Sequence, residues 1–153
     1  MSIRLETLRV GDVMSPAPYC LPVDAVLGCA LKVLGELHLS GAPVLDERGA
    51  VVGVISTSDL LGPVERVIAG TLPAGDLAGL PVGALATMPA LTISPEAPLL
   101  EACRTMCRTG VHRLVVVNGQ GAPVGVITSW DAAAAFGRLA ETEPEPATPS
   151  RSW

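Results

Sequence analysis

The chain has 153 residues, is 49% hydrophobic and 16% charged, and carries a formal net charge of −5. That is enough apolar material for one ordinary domain or two small ones sharing a core, and it excludes disorder for most of the length. The ten basic residues form no basic stripe, which argues against a nucleic-acid surface, and no apolar run approaches the ~18 residues of a membrane span. Met1 to Arg9 lacks the apolar centre of a signal peptide, so the chain reads as a soluble, cytoplasmic protein.

Taken in order, Cys20-Leu21 reads as a short extended piece, with Asp24 placed to cap a helix. Apolar residues then recur at Val26, Cys29, Ala30, Val33, Leu34 and Leu37, a helical stripe that faces a core. Ala42 to Leu45 and Val51 to Ile55 read as strands joined by the turn Asp46-Glu47-Arg48-Gly49, and a second helix starts near Ser56 and runs through Asp59, Leu60, Val64 and Val67. Leu72 to Leu80 reads as a connector. The order then recurs. Thr92-Ile93 is extended; Ser94, Pro95 and Glu96 suit an N-cap, a first helical position and the helix dipole; Leu99, Leu100, Cys103, Met106 and Cys107 form a stripe. Leu114 to Val117 and Val124 to Ile127 are strands around the turn Asn118-Gly119-Gln120-Gly121, and a last helix starts near Thr128.

The recurrence is an ungapped repeat. Gly49-Ala50-Val51-Val52-Gly53-Val54-Ile55-Ser56-Thr57-Ser58-Asp59 aligns with Gly121-Ala122-Pro123-Val124-Gly125-Val126-Ile127-Thr128-Ser129-Trp130-Asp131 at an offset of 72 residues, and the same offset pairs Val10-Gly11 with Val82-Gly83. The fold class is therefore α/β (α+β), two tandem strand-helix-strand-strand-helix units expected to pack face to face. Residues 1–71 make the first unit with its N-terminal segment, 72–81 a connector, 82–140 the second unit and 141–153 an acidic, Pro-rich disordered tail.

Chemical content concentrates in the repeated Gly-hydrophobic-Ile-Ser/Thr-x-x-Asp segment. Gly53 and Gly125 weaken a strand unless something approaches the backbone closely. Ser56 and Thr128 stand beside the orphan N–H groups of a helix start, and the Asp59 and Asp131 carboxylates match the two donors of a ribose cis-diol. The same pattern is also a capping box that stabilises a helix and binds nothing. The four cysteines form no disulfide framework, Cys103 and Cys107 read as small core residues, and His38 and His112 have no ligand-pair spacing, so no metal site is expected. There is no recognisable Ser/His/Asp set, no dinucleotide fingerprint and no P-loop, so the chain reads as a non-enzyme.

These paired Gly-Val-Ile-(Ser/Thr)-x-x-Asp endings resemble a tandem of CBS domains, named after cystathionine beta-synthase. Val10-Gly11-Asp12-Val13-Met14-Ser15-Pro16 and His112-Arg113-Leu114-Val115-Val116-Val117 support the likeness, which spans Val10 to Ala140. The resemblance implies a pseudo-twofold pair of units with two clefts, frequent homodimerisation into discs, and regulatory binding of AMP, ADP, ATP or S-adenosylmethionine, with no obligatory cofactor. It assigns ribose to Asp59 and Asp131, phosphate to Ser56 and Thr128, and the flanks of the adenine to Cys20, Leu21, Thr92 and Ile93. His112 and Arg113 match a phosphate-contacting pair, for which the first unit has Ser40 and Gly41; Ser58 and Trp130 stand where many relatives carry a basic residue. Trp130 is read either as stacking on adenine or as packing against helix or linker. The single basic cluster counts against ATP and favours a monophosphate such as AMP, a charge-poor ligand such as S-adenosylmethionine, or no ligand at all. The expected function is a standalone regulatory module that signals through assembly or an effector protein, the alternative being a ligand-free dimerisation or scaffold module. The Ala-, Arg-, Gly- and Pro-rich composition suggests a bacterial source.

Overall fold

A computed structural model describes residues 5–141 of the chain; the tail read at 141–153 lies, beyond Glu141, outside the described residues. The elements are α1 (Val10–Val13), β1 (Ser15–Pro16), β2 (Leu21–Pro22), α2 (Leu27–Glu36), β3 (Gly41–Leu45), β4 (Val51–Ser56), α3 (Thr57–Ile68) and α4 (Ala74–Ala78). After them come β5 (Thr92–Ile93), α5 (Leu99–Thr109), β6 (Arg113–Val117), β7 (Pro123–Thr128) and α6 (Ser129–Ala140). One sheet has the order β2-β3-β4 and the other β1-β7-β6-β5. β2 runs parallel to β3 and β5 to β6, β1 pairs antiparallel with β7, and both hairpins are antiparallel, with an irregularity at the repeat-related steps Val44/Leu45 and Val116/Val117. The hairpin turns are also repeat-related: Asp46 Oδ1 accepts from the N–H groups of Arg48 and Ala50, and Asn118 Oδ1 from those of Gln120 and Ala122. Among the described residues no helix is long and apolar enough to cross a membrane.

The apolar interior falls into two clusters whose membership crosses the chain order. Val10 is fully buried with Ile93, Leu99, Leu114 and Ile127, while Val82 and Leu77 are buried with Leu21, Leu27, Val44 and Ile55. The segment preceding each unit thus packs into the other unit's core. Its backbone follows: Ser15 pairs with Val126 on β7, and Thr87 pairs with Val54 on β4.

This exchange corrects the expected helix starts. Asp24 and Ser94 do not cap α2 and α5, which begin three to five residues later with Val26 and Pro98 at the N-cap and no side-chain cap. The carbonyls of Pro95 and Ala97 are already taken by the N–H groups of Gly11 and Val10, and those of Val23 and Ala25 by Gly83 and Val82. A carbonyl spent on a neighbouring segment cannot also close a helical turn. Ser94 instead donates its hydroxyl to Glu96, holding that carboxyl below its usual range.

Burial selects Leu27, Ala30 and Leu34 on α2 and the repeat-related Leu99, Ala102 and Met106 on α5. Val26, Cys29, Leu37, Leu100 and Cys107, read as core-facing, are exposed. The connector expected at Leu72 to Leu80 contains α4, which seats Leu77 in the first core.

Candidate functional site

Strand β4 delivers its last residue, Ser56, directly to the start of α3, so the helix begins at a sheet edge with its first-turn groups turned outward. Asp59 closes back on that start: its Oδ2 accepts from the Ser56 N–H at 2.7 Å and from the Ser56 hydroxyl at 3.1 Å. In the second unit, Thr128 and Asp131 form a reciprocal box, with Asp131 Oδ2 accepting from the Thr128 N–H at 2.9 Å and Thr128 Oγ1 accepting from the Asp131 N–H at 3.1 Å. The capping reading is therefore realised in both copies.

Beyond capping, the copies differ. Asp59 lines a cleft of about 470 Å³ between the two units, bounded by Ser40–Pro43, Val54–Asp59, Thr87, Pro89 and Leu91 on one side and by Gly110–Arg113, Val115 and Val126 on the other. This lies within the range of about 300–1,000 Å³ typical of small-molecule sites. Ser56, Asp59, His112 and Arg113 are thus brought together from both units. Leu21 and Ile93 are buried in the cores, Cys20 donates its thiol to the Pro18 carbonyl, and Thr92, Thr128 and Asp131 do not line this cleft.

The cleft is polar at one end. Thr87 donates its hydroxyl to Asp59 Oδ1 at 2.9 Å, and Arg113 Nη2 donates to Ser40 Oγ at 3.1 Å, each bond tying one unit to the other. Three of the roughly four acceptor positions of the Asp59 carboxylate are then in use, so a diol seated on it bidentately displaces the Thr87 hydroxyl. Asp59, His112 and Arg113 are the ionisable groups of the lining, and His112 and Arg113 are exposed. Val54, Pro43, Leu91, Val111, Val115 and Val126 make the remaining wall apolar, which suits one flat hydrophobic group beside one anionic one.

Thr87 and the wall residues Leu91 and Val126 were not legible as site residues. The signal available for Thr87 was its repeat relation to Ser15, a hydroxyl at the same offset. Gly53 and Gly125 admit something close, and it is the chain itself: a Cβ on Gly53 would stand 2.7 Å from the Thr87 carbonyl oxygen, and one on Gly125 2.9 Å from that of Ser15 and against the Met14 sulfur. Trp130 neither stacks in the cleft nor packs on helix or linker; it is 78% exposed. No group of three or more His, Cys, Asp or Glu placed to hold a metal ion occurs among the described residues.

A family model described as the CBS domain matches residues 10–65 and 82–138. Among solved structures, CBSX2 from Arabidopsis thaliana superposes with a TM-score of 0.72 at 28% identity, over 87% of this chain and 96% of that one. The structure of CBSX2 in complex with AMP gives 0.70 at 29%, over 86% and 97%. The A-adding tRNA nucleotidyltransferase of Aquifex aeolicus is 31% identical over 81% of this chain but only 14% of its own length. A homoserine O-acetyltransferase of Methanococcoides burtonii is 28% identical over 83% of this chain and 24% of its own. The chain spans well under half the length of these curated relatives.

Proposed function

The chain belongs to the CBS domain family, and on that premise we propose that it is a regulatory module that binds an adenosine nucleotide, AMP before ADP or ATP, in the cleft bearing Asp59. The observation that carries the reading is the meeting of one carboxylate from the first unit with one guanidinium and one imidazole from the second, over an otherwise apolar wall. Asp59 takes the ribose hydroxyls and Arg113 and His112 take the phosphate. The apolar wall takes the base. One guanidinium forks onto one phosphate; a triphosphate brings charges that no further cation of the lining meets. CBSX2, at 29% identity, was crystallised with AMP, which supports the ligand class. The repeat-related Asp131 lies outside this cleft, so one AMP per chain is the expected stoichiometry. The module acts without catalysis, through its own assembly as a homodimer and through an effector protein.

The test is calorimetric titration with AMP, ADP, ATP and S-adenosylmethionine, on the natural chain and on Arg113→Ala. AMP binding at one site per chain, weakened about tenfold by loss of the charge-assisted bond, supports the reading. Absence of binding by all four removes it. It would leave the scaffold reading, which the capping roles of Asp59 and Asp131 favour.

A further inference from the structure

Arg113, whose guanidinium is assigned above to the phosphate, donates to Ser40 Oγ at 3.1 Å, and Ser40 stands at a corner. On one side it lines the cleft between the units. On the other, together with Ile55, Ser56 and Thr57, it lines a second cavity of about 140 Å³ whose walls all belong to the first unit. The rest of that wall is aliphatic: Leu31 and Leu34 from α2, Leu39 from the loop before β3, and Leu60 from α3. Among the described residues no ionisable group lines it, and its side-chain hydroxyls belong to the three residues shared with the cleft, Ser40, Ser56 and Thr57.

Local sequence opens this cavity. Gly35 follows Leu31 by one turn on the same flank of α2, and a Cβ there would meet nothing within 4 Å; the repeat-related residue of the second unit is Cys107. Three residues on, His38 takes a left-handed φ of 55°, where the second unit places Gly110 at 73°. That conformation costs strain in any residue with a side chain. The turn it makes leads to Leu39, whose N–H donates to the Leu34 carbonyl at 2.9 Å and whose side chain lines the cavity.

An apolar cavity of ~150 Å³ accepts a benzene-sized guest, so this one takes about four to six carbons. Its place beside Arg113 decides what those carbons are attached to. A phosphate held by that guanidinium sits at the Ser40 corner, and a substituent on one of its oxygens passes Ser40 and Thr57 into the leucine wall. Resting on the adenosine reading above, we infer that the full ligand is an AMP whose phosphate carries a short aliphatic group, the class of alkyl esters of AMP and of its mixed anhydrides with branched aliphatic acids. The charge agrees: a phosphate substituted in this way keeps one negative charge, and the cleft lining offers one guanidinium.

The probes are the methyl and isobutyl esters of AMP, which carry the same charge and differ only in the carbons that reach the cavity. Calorimetric titration of the natural chain is expected to find the isobutyl ester bound at least about tenfold more tightly, because its extra carbons leave water. Gly35→Leu fills the cavity from α2 and Leu60→Phe from α3. In both variants the isobutyl preference disappears while AMP and the methyl ester bind as before. Gly35→Leu also places a better helix former in α2, and circular dichroism checks the fold of both. Equal affinity for the two esters, or binding of AMP but of neither ester, overturns this inference and leaves the adenosine reading standing. A preference that survives in both variants overturns the assignment to this cavity. Failure of AMP and both esters to bind overturns the adenosine reading as well.

Discussion

Asp59 and Asp131 hold the same position in the repeat, and each accepts the backbone N–H that precedes its helix. Their neighbours separate them: only Asp59 faces the cleft and the Thr87 hydroxyl. Replacing either by alanine removes a cap and lowers stability by about 0.5–2 kcal/mol, read as a fall in Tm. AMP binding is expected to disappear in Asp59→Ala and to survive in Asp131→Ala, measured by calorimetry. Ligand at ~100 times its Kd adds about 2.7 kcal/mol to the folded state, so the same contrast appears as a thermal shift present in one variant and missing in the other. The cysteines divide in a similar way. Burial raises the Cys20 thiol, and burial together with Cys107 raises Cys103, so at neutral pH both hold less thiolate than an exposed cysteine. Mass spectrometry after brief iodoacetamide treatment at pH 7.5 is expected to find Cys29 and Cys107, the exposed pair, labelled first; Cys20 and Cys103 catch up as the pH rises. Exposure was not readable from spacing, because Cys103 and Cys107 both sit at apolar-stripe positions and only the roll of α5 distinguishes them.

At the scale of elements, the strands and the starts of α3 and α6 were legible and the starts of α2 and α5 were not, for a reason particular residues make plain. The hairpins β3-β4 and β6-β7 rest on short apolar runs and on the Asp46 and Asn118 turns, all contained within a few residues. The starts of α2 and α5 rest on bonds to Leu80 and Leu8, because the Leu27 and Leu99 N–H groups donate to those distant carbonyls. Local capping signals at Asp24 and Ser94 carried no information about that. The exchanged segments also explain Gly53 and Gly125, whose lack of a side chain lets Thr87 and Ser15 cross the edges of β4 and β7. Gly53→Ala and Gly125→Ala should each cost about 1–3 kcal/mol through overpacking against backbone, measured by urea unfolding. Equal losses in the two variants are expected, since both crossings use the same geometry. A negligible loss would mean that the crossing segment is not held against the strand.

At the scale of the molecule, the cleft and an exposed apolar stripe meet at α3. Its first turn carries Ser56 and Asp59 into the cleft, and its outer stripe carries Leu61, Val64 and Ile68. A ligand that displaces the Thr87 hydroxyl from Asp59 and draws Arg113 from Ser40 replaces two bonds between the units with bonds to itself. Such a ligand changes the affinity of the proposed homodimer to the extent that it prefers one arrangement of the units. AMP is therefore expected to alter the dimer dissociation constant severalfold, by sedimentation with and without saturating nucleotide, and the Asp59→Ala variant to be insensitive. By itself, the sequence determined the two-unit architecture, the hairpins and the Ser/Thr-x-x-Asp helix starts, because a 72-residue repeat and local periodicity are properties of short stretches of chain. Only the tertiary structure decided which aspartate faces Arg113, which core Val10 and Val82 enter and which apolar stripes stay uncovered. Those follow from contacts between residues far apart in the chain, where two repeats of similar sequence meet different neighbours.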